Sequence, residues 1–316
     1  MKLVFCGTPQ FAVPTLEALL AAGHETALVV SQPDRPIGRT RELAAPPVKQ
    51  TALAAGLEVT QPEKIRNNPE FRARLEAIRP EAIVVVAYGR IIPPWMLVLP
   101  RLGCVNLHAS LLPKYRGAAP IQWAVAMGET VTGNTTMLLE EGLDTGPILL
   151  QQEVTIRAEQ TAEDLFEVLA QRGAPLVVET LAGLAAGDIQ PRPQDHTLAT
   201  LAPLLDREDG RMDFAARTAD ELRNRWRGFQ PWPGAFTMLN GKKLIVHRMA
   251  VAEPASLSPG SAATPGEARV EQHRLLVCCA KGTWLELFEV QLEGKKRLPA
   301  AEFLRGMQLA SGAGLG

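Results

Sequence analysis

The stretch Gly103-Cys104-Val105-Asn106-Leu107-His108-Ala109-Ser110-Leu111-Leu112-Pro113 carries the side chains best suited to chemistry. In a strand, Asn106 and His108 lie two apart and project from one face, so an amide and an imidazole converge. Farther on, Glu140-Glu141-Gly142-Leu143-Asp144-Thr145-Gly146-Pro147 sets a carboxylate in a turn framed by glycine and proline, where backbone can approach a ligand closely. Asn, His and Asp are a parts list for acyl transfer to an amine. The carboxylate orients the imidazole, the imidazole moves protons, and the amide N–H faces a developing oxyanion. Spacing alone leaves turn or core roles open for all three.

Other elements must hold these residues in place. Residues 2–6 form a short apolar strand that Gly7-Thr8-Pro9 breaks before the helical spacing of Val13, Leu16, Leu19 and Leu20. Residues 27–30 read as a second strand and 82–87 as a third, apolar throughout. Strands alternating with helices predict an α/β fold with a mostly parallel sheet. Residues 32–41 are too rich in Pro, Gly and Arg for an ordinary short connection and predict a surface loop carrying positive charge. Helical patterns resume over 162–169 and 176–184, and a Gly/Pro-rich break follows. The expected layout is a catalytic domain over 1–189, a linker over 190–206 and a second domain over 207–316. In that second domain 220–227 has a helical pattern. The short alternating segments 244–246, 274–279 and 283–287 predict a small antiparallel barrel. Residues 254–266 read as a polar loop and 311–316 as a frayed tail.

Composition narrows the function classes. A chain of 316 residues with 46% hydrophobic content can build two cores. No apolar run reaches signal-peptide or membrane-span length, which predicts a soluble cytoplasmic protein. Cys6, Cys104, Cys278 and Cys279 form no C-x-x-C pair, so they read as small core residues, and neither a zinc site nor a disulfide framework is expected. The net charge of -1 conceals an asymmetry: residues 1–206 hold 17 basic against 22 acidic residues, and 207–316 hold 16 against 12. That balance permits a basic surface on the second domain. The first turn, Gly7-Thr8-Pro9-Gln10-Phe11-Ala12, lacks G-x-G-x-x-G and speaks against a nicotinamide-dependent oxidoreductase.

Taken together, several segments resemble the methionyl-tRNA formyltransferases over nearly the whole chain. The opening Phe5-Cys6-Gly7-Thr8-Pro9-Gln10-Phe11-Ala12-Val13-Pro14 is similar to that family's first strand and turn. So are Gln32-Pro33-Asp34-Arg35-Pro36 with Gly38-Arg39, and Pro47-Val48-Lys49. The strongest match runs from Asn106 through Ser110-Leu111-Leu112-Pro113-Lys114-Tyr115-Arg116-Gly117 to Ile121. Pro231-Trp232-Pro233-Gly234-Ala235, Gly294-Lys295-Lys296 and Phe303-Leu304-Arg305-Gly306 extend it to the second domain.

The resemblance implies a Rossmann-like formyltransferase domain followed by an OB-type β-barrel that binds tRNA. It implies that Asn106, His108 and Asp144 are the catalytic set, that 10-formyltetrahydrofolate donates the formyl group, and that methionyl initiator tRNA accepts it. Ser110, Leu111, Leu112 and Pro113 would line the folate site, with Tyr88, Ile91 and Ile92 on its pterin side; a purely structural role for that last group stays open. For tRNA, Arg35, Arg39 and Arg41 on the long loop would sit near the acceptor end, and Lys242, Lys243, Lys295 and Lys296 on the barrel would meet phosphates. The enzyme is expected to work as a monomer without a metal. The chain departs from the family pattern at Gln10, Glu42 and Leu204, each outside the proposed catalytic set. A small amine, such as an amino sugar or glycinamide ribonucleotide, is the rival acceptor, because the Asn-x-His and Ser-Leu-Leu-Pro segments are shared among such enzymes. A non-catalytic RNA-binding protein is the other rival, and it leaves the three polar residues unexplained.

Overall fold

The computed structural model describes residues 1–37, 42–253, 263–307 and 314–316, so Arg39 and Arg41, and most of the 254–266 loop, lie outside the described residues. The chain divides into two compact units that are not contiguous in sequence. The first comprises Met1–Ile121, Val131–Ile156 and Asp164–Pro203; the second comprises Gln122–Thr130, Arg157–Glu163 and Leu204–Gly316. Residues 190–203, the greater part of the expected linker, thus belong to the first unit.

In chain order the elements up to residue 186 are β1 (Lys2–Gly7), α1 (Val13–Ala21), β2 (Glu25–Val30), β3 (Arg35–Ile37), β4 (Glu42–Ala44), α2 (Pro47–Ala54), β5 (Val59–Thr60), α3 (Pro69–Ile78), β6 (Ala82–Val86), α4 (Pro94–Leu97), β7 (Cys104–His108), α5 (Pro120–Ala126), β8 (Val131–Leu138), β9 (Ile148–Thr155) and α6 (Ala162–Ala186). The main sheet runs β5-β2-β1-β6-β7-β8-β9. It is parallel from β5 to β7, and β8 and β9 add antiparallel. This is the Rossmann-like, mostly parallel arrangement. The buried apolar runs of β1 and β6 explain it, since strands covered on both faces need no polar alternation. Strand order reverses between β1 and β6, where Gly7 pairs with Val86. Crevices outside the carboxyl ends of the strands at such a switch point are where open α/β sheets bind ligands.

The two helical patterns over 162–169 and 176–184 are one helix, α6, with Pro175 inside it. Pro175 removes one N–H whose acceptor would be the carbonyl of Gln171, an exposed residue that water can serve, so the helix survives. Gly173 lets α6 approach β7: a Cβ there would meet the Leu107 side chain at 2.7 Å. Leu107 therefore faces α6, and Asn106 and His108 face the other side of the sheet.

In the second unit, α7 (Ala219–Gly228) begins with a capping box between Thr218 and Glu221. It is followed by β10 (Phe236–Leu239), β11 (Lys242–Val251), β12 (Ala268–Glu271), β13 (Arg274–Cys278), β14 (Trp284–Leu292), β15 (Leu298–Pro299) and α8 (Ala300–Gly306). The strands form an antiparallel sheet in the order β10-β11-β14-β13-β12, with β15 on β14, of the OB type. Its core includes Phe214, Leu222, Leu244, Leu275, Leu285 and Phe303. The pieces taken from earlier in the chain join this unit closely. The Trp123 ring meets Phe229 edge-on at 5.4 Å, and Arg227 donates to the carbonyls of Arg157 and Gln160. The end of the tail is not frayed as expected: Leu315 is buried in the same core, and its N–H bonds the Gly266 carbonyl. Burying one leucine side chain stabilises this end of the chain.

All four cysteines are buried and free. Burial pushes the Cys104 and Cys279 thiols up to about 12, which leaves them inert at neutral pH.

Candidate active site

β7 ends at His108, so Asn106 and His108 lie on one face at the carboxyl edge of the sheet. Their neighbours on β8 are Met137 opposite Asn106 and Thr135 opposite His108. Both side chains are buried. No hydrogen bond is made by the Asn106 amide among the described residues, although it keeps 9% of its surface exposed. An amide in that condition has donors to spare for a ligand.

His108 is flanked on both sides. Its Nε2 lies 2.9 Å from the Tyr115 carbonyl, and its Nδ1 lies 3.7 Å from Asp144 Oδ2. A carbonyl only accepts, so Nε2 carries a proton in this arrangement. Asp144 Oδ2 also accepts from the Gly117 N–H at 2.8 Å. Tyr115 and Asp144 are both left-handed, with φ of 62° and 52°. Such backbone costs about 1 to 3 kcal/mol per non-glycine residue and persists only where surrounding structure enforces it. Gly146 contributes to the Asp144 turn by close approach: a Cβ there would lie 1.8 Å from the Leu138 carbonyl oxygen.

Several residues that sequence reasoning missed fix this site. Thr135 Oγ1 donates to the Ser110 carbonyl at 2.6 Å and accepts from the Leu112 N–H at 3.1 Å. Gln151 Nε2 donates to the Leu112 carbonyl and to Thr135. Gln194, on the segment expected to be linker, contacts Arg116 and the Asp144 turn. Its burial follows from long-range packing and left no periodic signal in the sequence.

The folate candidates differ among themselves. Ser110 Oγ donates to the Lys114 carbonyl at 2.7 Å, so its one donor proton is committed while its oxygen can still accept. Leu111 and Pro113 are half-buried, and Leu112 is buried against Met137 and Ile148. Tyr88 is only 2% exposed, its ring lies in the core under β1 and β6, and its hydroxyl has no partner. Burial pushes that phenol well above its ordinary range. Its side chain is therefore no wall of an open site. Ile92 is buried in the same core, whereas Ile91 is 92% exposed and free to meet a ligand.

Among the tRNA candidates, Arg35 is exposed at the start of the β3–β4 hairpin. The base of that hairpin is pinned by an Asp34–Lys49 ion pair at 2.8 Å. Lys242 opens β11, and Lys295 and Lys296 follow the end of β14; all three are exposed. The pairing of Leu244 with Leu292 and the bond from the Glu293 N–H to the Lys243 carbonyl bring these two turns together. Lys243 is different, since its ammonium lies 3.7 Å from the Phe236 ring centroid and is partly committed there. Of the departures from the family pattern, Glu42 and Leu204 are exposed and Gln10 sits in the turn after β1.

Comparison with known proteins defines the class first. Residues 1–181 match the family model described as formyl transferase, and residues 204–308 match the formyl transferase C-terminal domain. A methionyl-tRNA formyltransferase of Acidobacterium capsulatum is 68% identical over 316 residues and covers all of both chains. One from Koribacter versatilis is 59% identical, covering all of this chain and 99% of the relative. The chain belongs to the methionyl-tRNA formyltransferase family. In fold it is similar to an N-formyltransferase from Helicobacter canadensis crystallised with folinic acid and dTDP-3-aminofucose. That match has a TM-score of 0.64 at 16% identity and covers 91% of this chain and 98% of the other. Among the described residues, no helix is long and apolar enough to cross a membrane.

Proposed function

We propose that the protein transfers the formyl group of 10-formyltetrahydrofolate to the α-amino group of methionyl initiator tRNA, acting as a cytoplasmic monomer. The observation that carries this reading is the unpartnered Asn106 amide on the same strand face as His108, with Asp144 behind the imidazole. Family membership over both domains supports the substrates, as relatives along the full length are named for methionyl-tRNA. The residues present fit a folate. Exposed Ile91 and half-buried Leu111 come from the loops after two neighbouring strands, β6 and β7, and offer apolar surface to a flat ring system.

The donor supplies a formyl carbonyl that is already electrophilic. An α-amino group has a pKa of ~7.7 to 8.0, so a useful fraction is neutral near pH 7 and no strong base is needed. As the amine attacks, the Asn106 amide donates to the formyl oxygen, where negative charge develops. His108 exchanges the Tyr115 carbonyl for the substrate, donates alongside Asn106, and passes a proton to the leaving nitrogen. The amine loses one proton, the C–N bond to the folate breaks, and the folate nitrogen gains one. Asp144 balances the positive charge on the imidazole and holds its orientation.

The test is steady-state formylation by purified Asn106→Ala and His108→Ala, with methionyl-tRNA and small amines as alternative acceptors. Losing an oxyanion donor costs ~10² to 10³ in kcat, and losing acid-base help costs ~10² to 10⁴. Wild-type kcat/KM in either variant would end the proposal, and preference for a small amine would replace the acceptor.

A further inference from the structure

Gln194 lies on a stretch that looks like linker in sequence, yet its side chain is 6% exposed and makes five hydrogen bonds, four short ones and a long one to Met137 Sδ at 4.0 Å. Nε2 donates to the carbonyls of Asp144, at 2.8 Å, and Gly146, at 2.7 Å. Oε1 accepts from Nε and Nη2 of Arg116, at 3.1 and 2.6 Å. Chemistry settles which end of the amide is which: carbonyls only accept and a guanidinium only donates. Both ends are therefore used, and turning the amide over would break all four short bonds.

The two segments joined this way are the two that flank His108. Asp144 faces its Nδ1, and Tyr115, adjacent to Arg116, takes its Nε2. Both flanking residues have left-handed backbone, which needs external support. Part of that support is backbone pairing, because the Arg116 N–H bonds the Thr200 carbonyl and the Ala202 N–H bonds the Arg116 carbonyl. That pairing continues to the Ala119 N–H, which bonds the Ala202 carbonyl, and Arg192 pairs with Ile148 just past the Asp144 turn. Gln194 bonds both that segment and the Asp144 turn.

We propose that Gln194 is a positioning residue for formyl transfer: its amide sets the separation between the Asp144 turn and the 115–117 segment and so fixes both partners of the His108 imidazole. This rests on the catalytic reading of His108 and Asp144 given above. A glutamine is the side chain that suits the position, since it offers two donors and two acceptor lone pairs at this reach. Glutamate keeps the Arg116 half and sets a carboxylate against two carbonyls. Asparagine is one methylene short.

The experiment compares full-length Gln194→Glu, Gln194→Met, Asp144→Asn and the Asp144→Asn/Gln194→Glu double variant. Formylation kinetics, 10-formyltetrahydrofolate binding by tryptophan fluorescence and melting temperature are read for each. Gln194→Glu and Gln194→Met should lower kcat by about 10- to 100-fold, the scale of a misplacement near 1 Å, while KM for folate stays within about twofold. In the Asp144→Asn background the glutamate change should cost no more than about twofold further, because residues that act as a unit are not additive. Wild-type kcat in Gln194→Glu, losses that multiply in full, or a kcat deficit matched by the unfolded fraction would overturn the inference. Wild-type turnover in Asp144→Asn would instead overturn the catalytic reading beneath it.

Discussion

The His108 site and the lysine turns of the OB-type unit hold their charges in opposite ways. Asp144 and His108 are fixed by backbone: a carbonyl, an N–H and a turn that lacks room for a Cβ at Gly146. Lys242, Lys295 and Lys296 stand exposed in two neighbouring turns. The contrast fits the two tasks proposed for these regions. Chemistry on one carbonyl needs atoms placed to within about 1 Å, while attraction of a polyanion tolerates loose geometry because it works through counterion release.

The largest effect that would sharpen this contrast comes from Gly146→Ala. Its Cβ would collide with the Leu138 carbonyl, so the Asp144 turn must shift, and kcat should fall by about 10²-fold with a stability loss of ~1 to 3 kcal/mol. Kinetics and denaturant unfolding check both figures; an unchanged kcat would mean that the turn need not be rigid. Next in size, changing Lys242, Lys295 and Lys296 together to Gln should raise KM for tRNA and leave folate binding alone. The slope of log(kcat/KM) against log salt should flatten by about 0.9 for each phosphate that is no longer neutralised. Lys243→Gln should do less, because that ammonium already rests on the Phe236 ring. Equal effects from Lys242 and Lys243 would erase the distinction between free and committed charge.

The smallest effect concerns the capping box of α7. The Thr218 N–H bond, followed by the Thr218 hydroxyl, holds the Glu221 carboxyl below its usual value. A depressed carboxylate stabilises the fold above its unfolded pKa, ~4.3, and that contribution is lost as pH falls through the folded value. Thr218→Ala should therefore cost about 1 kcal/mol at pH 7 and less near pH 3, with solvent screening keeping the Glu221 share small. Urea unfolding at the two pH values tests it.

Much of this was legible in the residues themselves. The apolar runs of β1 and β6 can be read from composition, and Asn106 and His108 sit two apart in β7 where alternation places them on one face. β8 was hidden, because Thr132, Asn134, Thr135 and Thr136 look like loop residues. Asn134 donates to the Leu169 carbonyl and Thr136 meets Thr180, both on α6, and Thr135 donates to the Ser110 carbonyl, partners that no local pattern records. Tyr88 misled in the other direction. The turn after β6, with Ala87 at φ 45°, carries its ring into the core. Gln194 and Leu315 were illegible for a shared reason: each is a single buried residue with no periodic pattern around it, and its partners lie elsewhere in the sequence.

The chain passes between its two compact units after residues 121, 130, 156, 163 and 203. A protease nick after residue 203 would sever just one of those five crossings. A fragment starting at 204 would abandon Trp123, which packs on Phe229, and the carbonyls that receive Arg227. The second unit is assembled from three separate stretches of the chain, so exchanging it between relatives means transplanting all three at once.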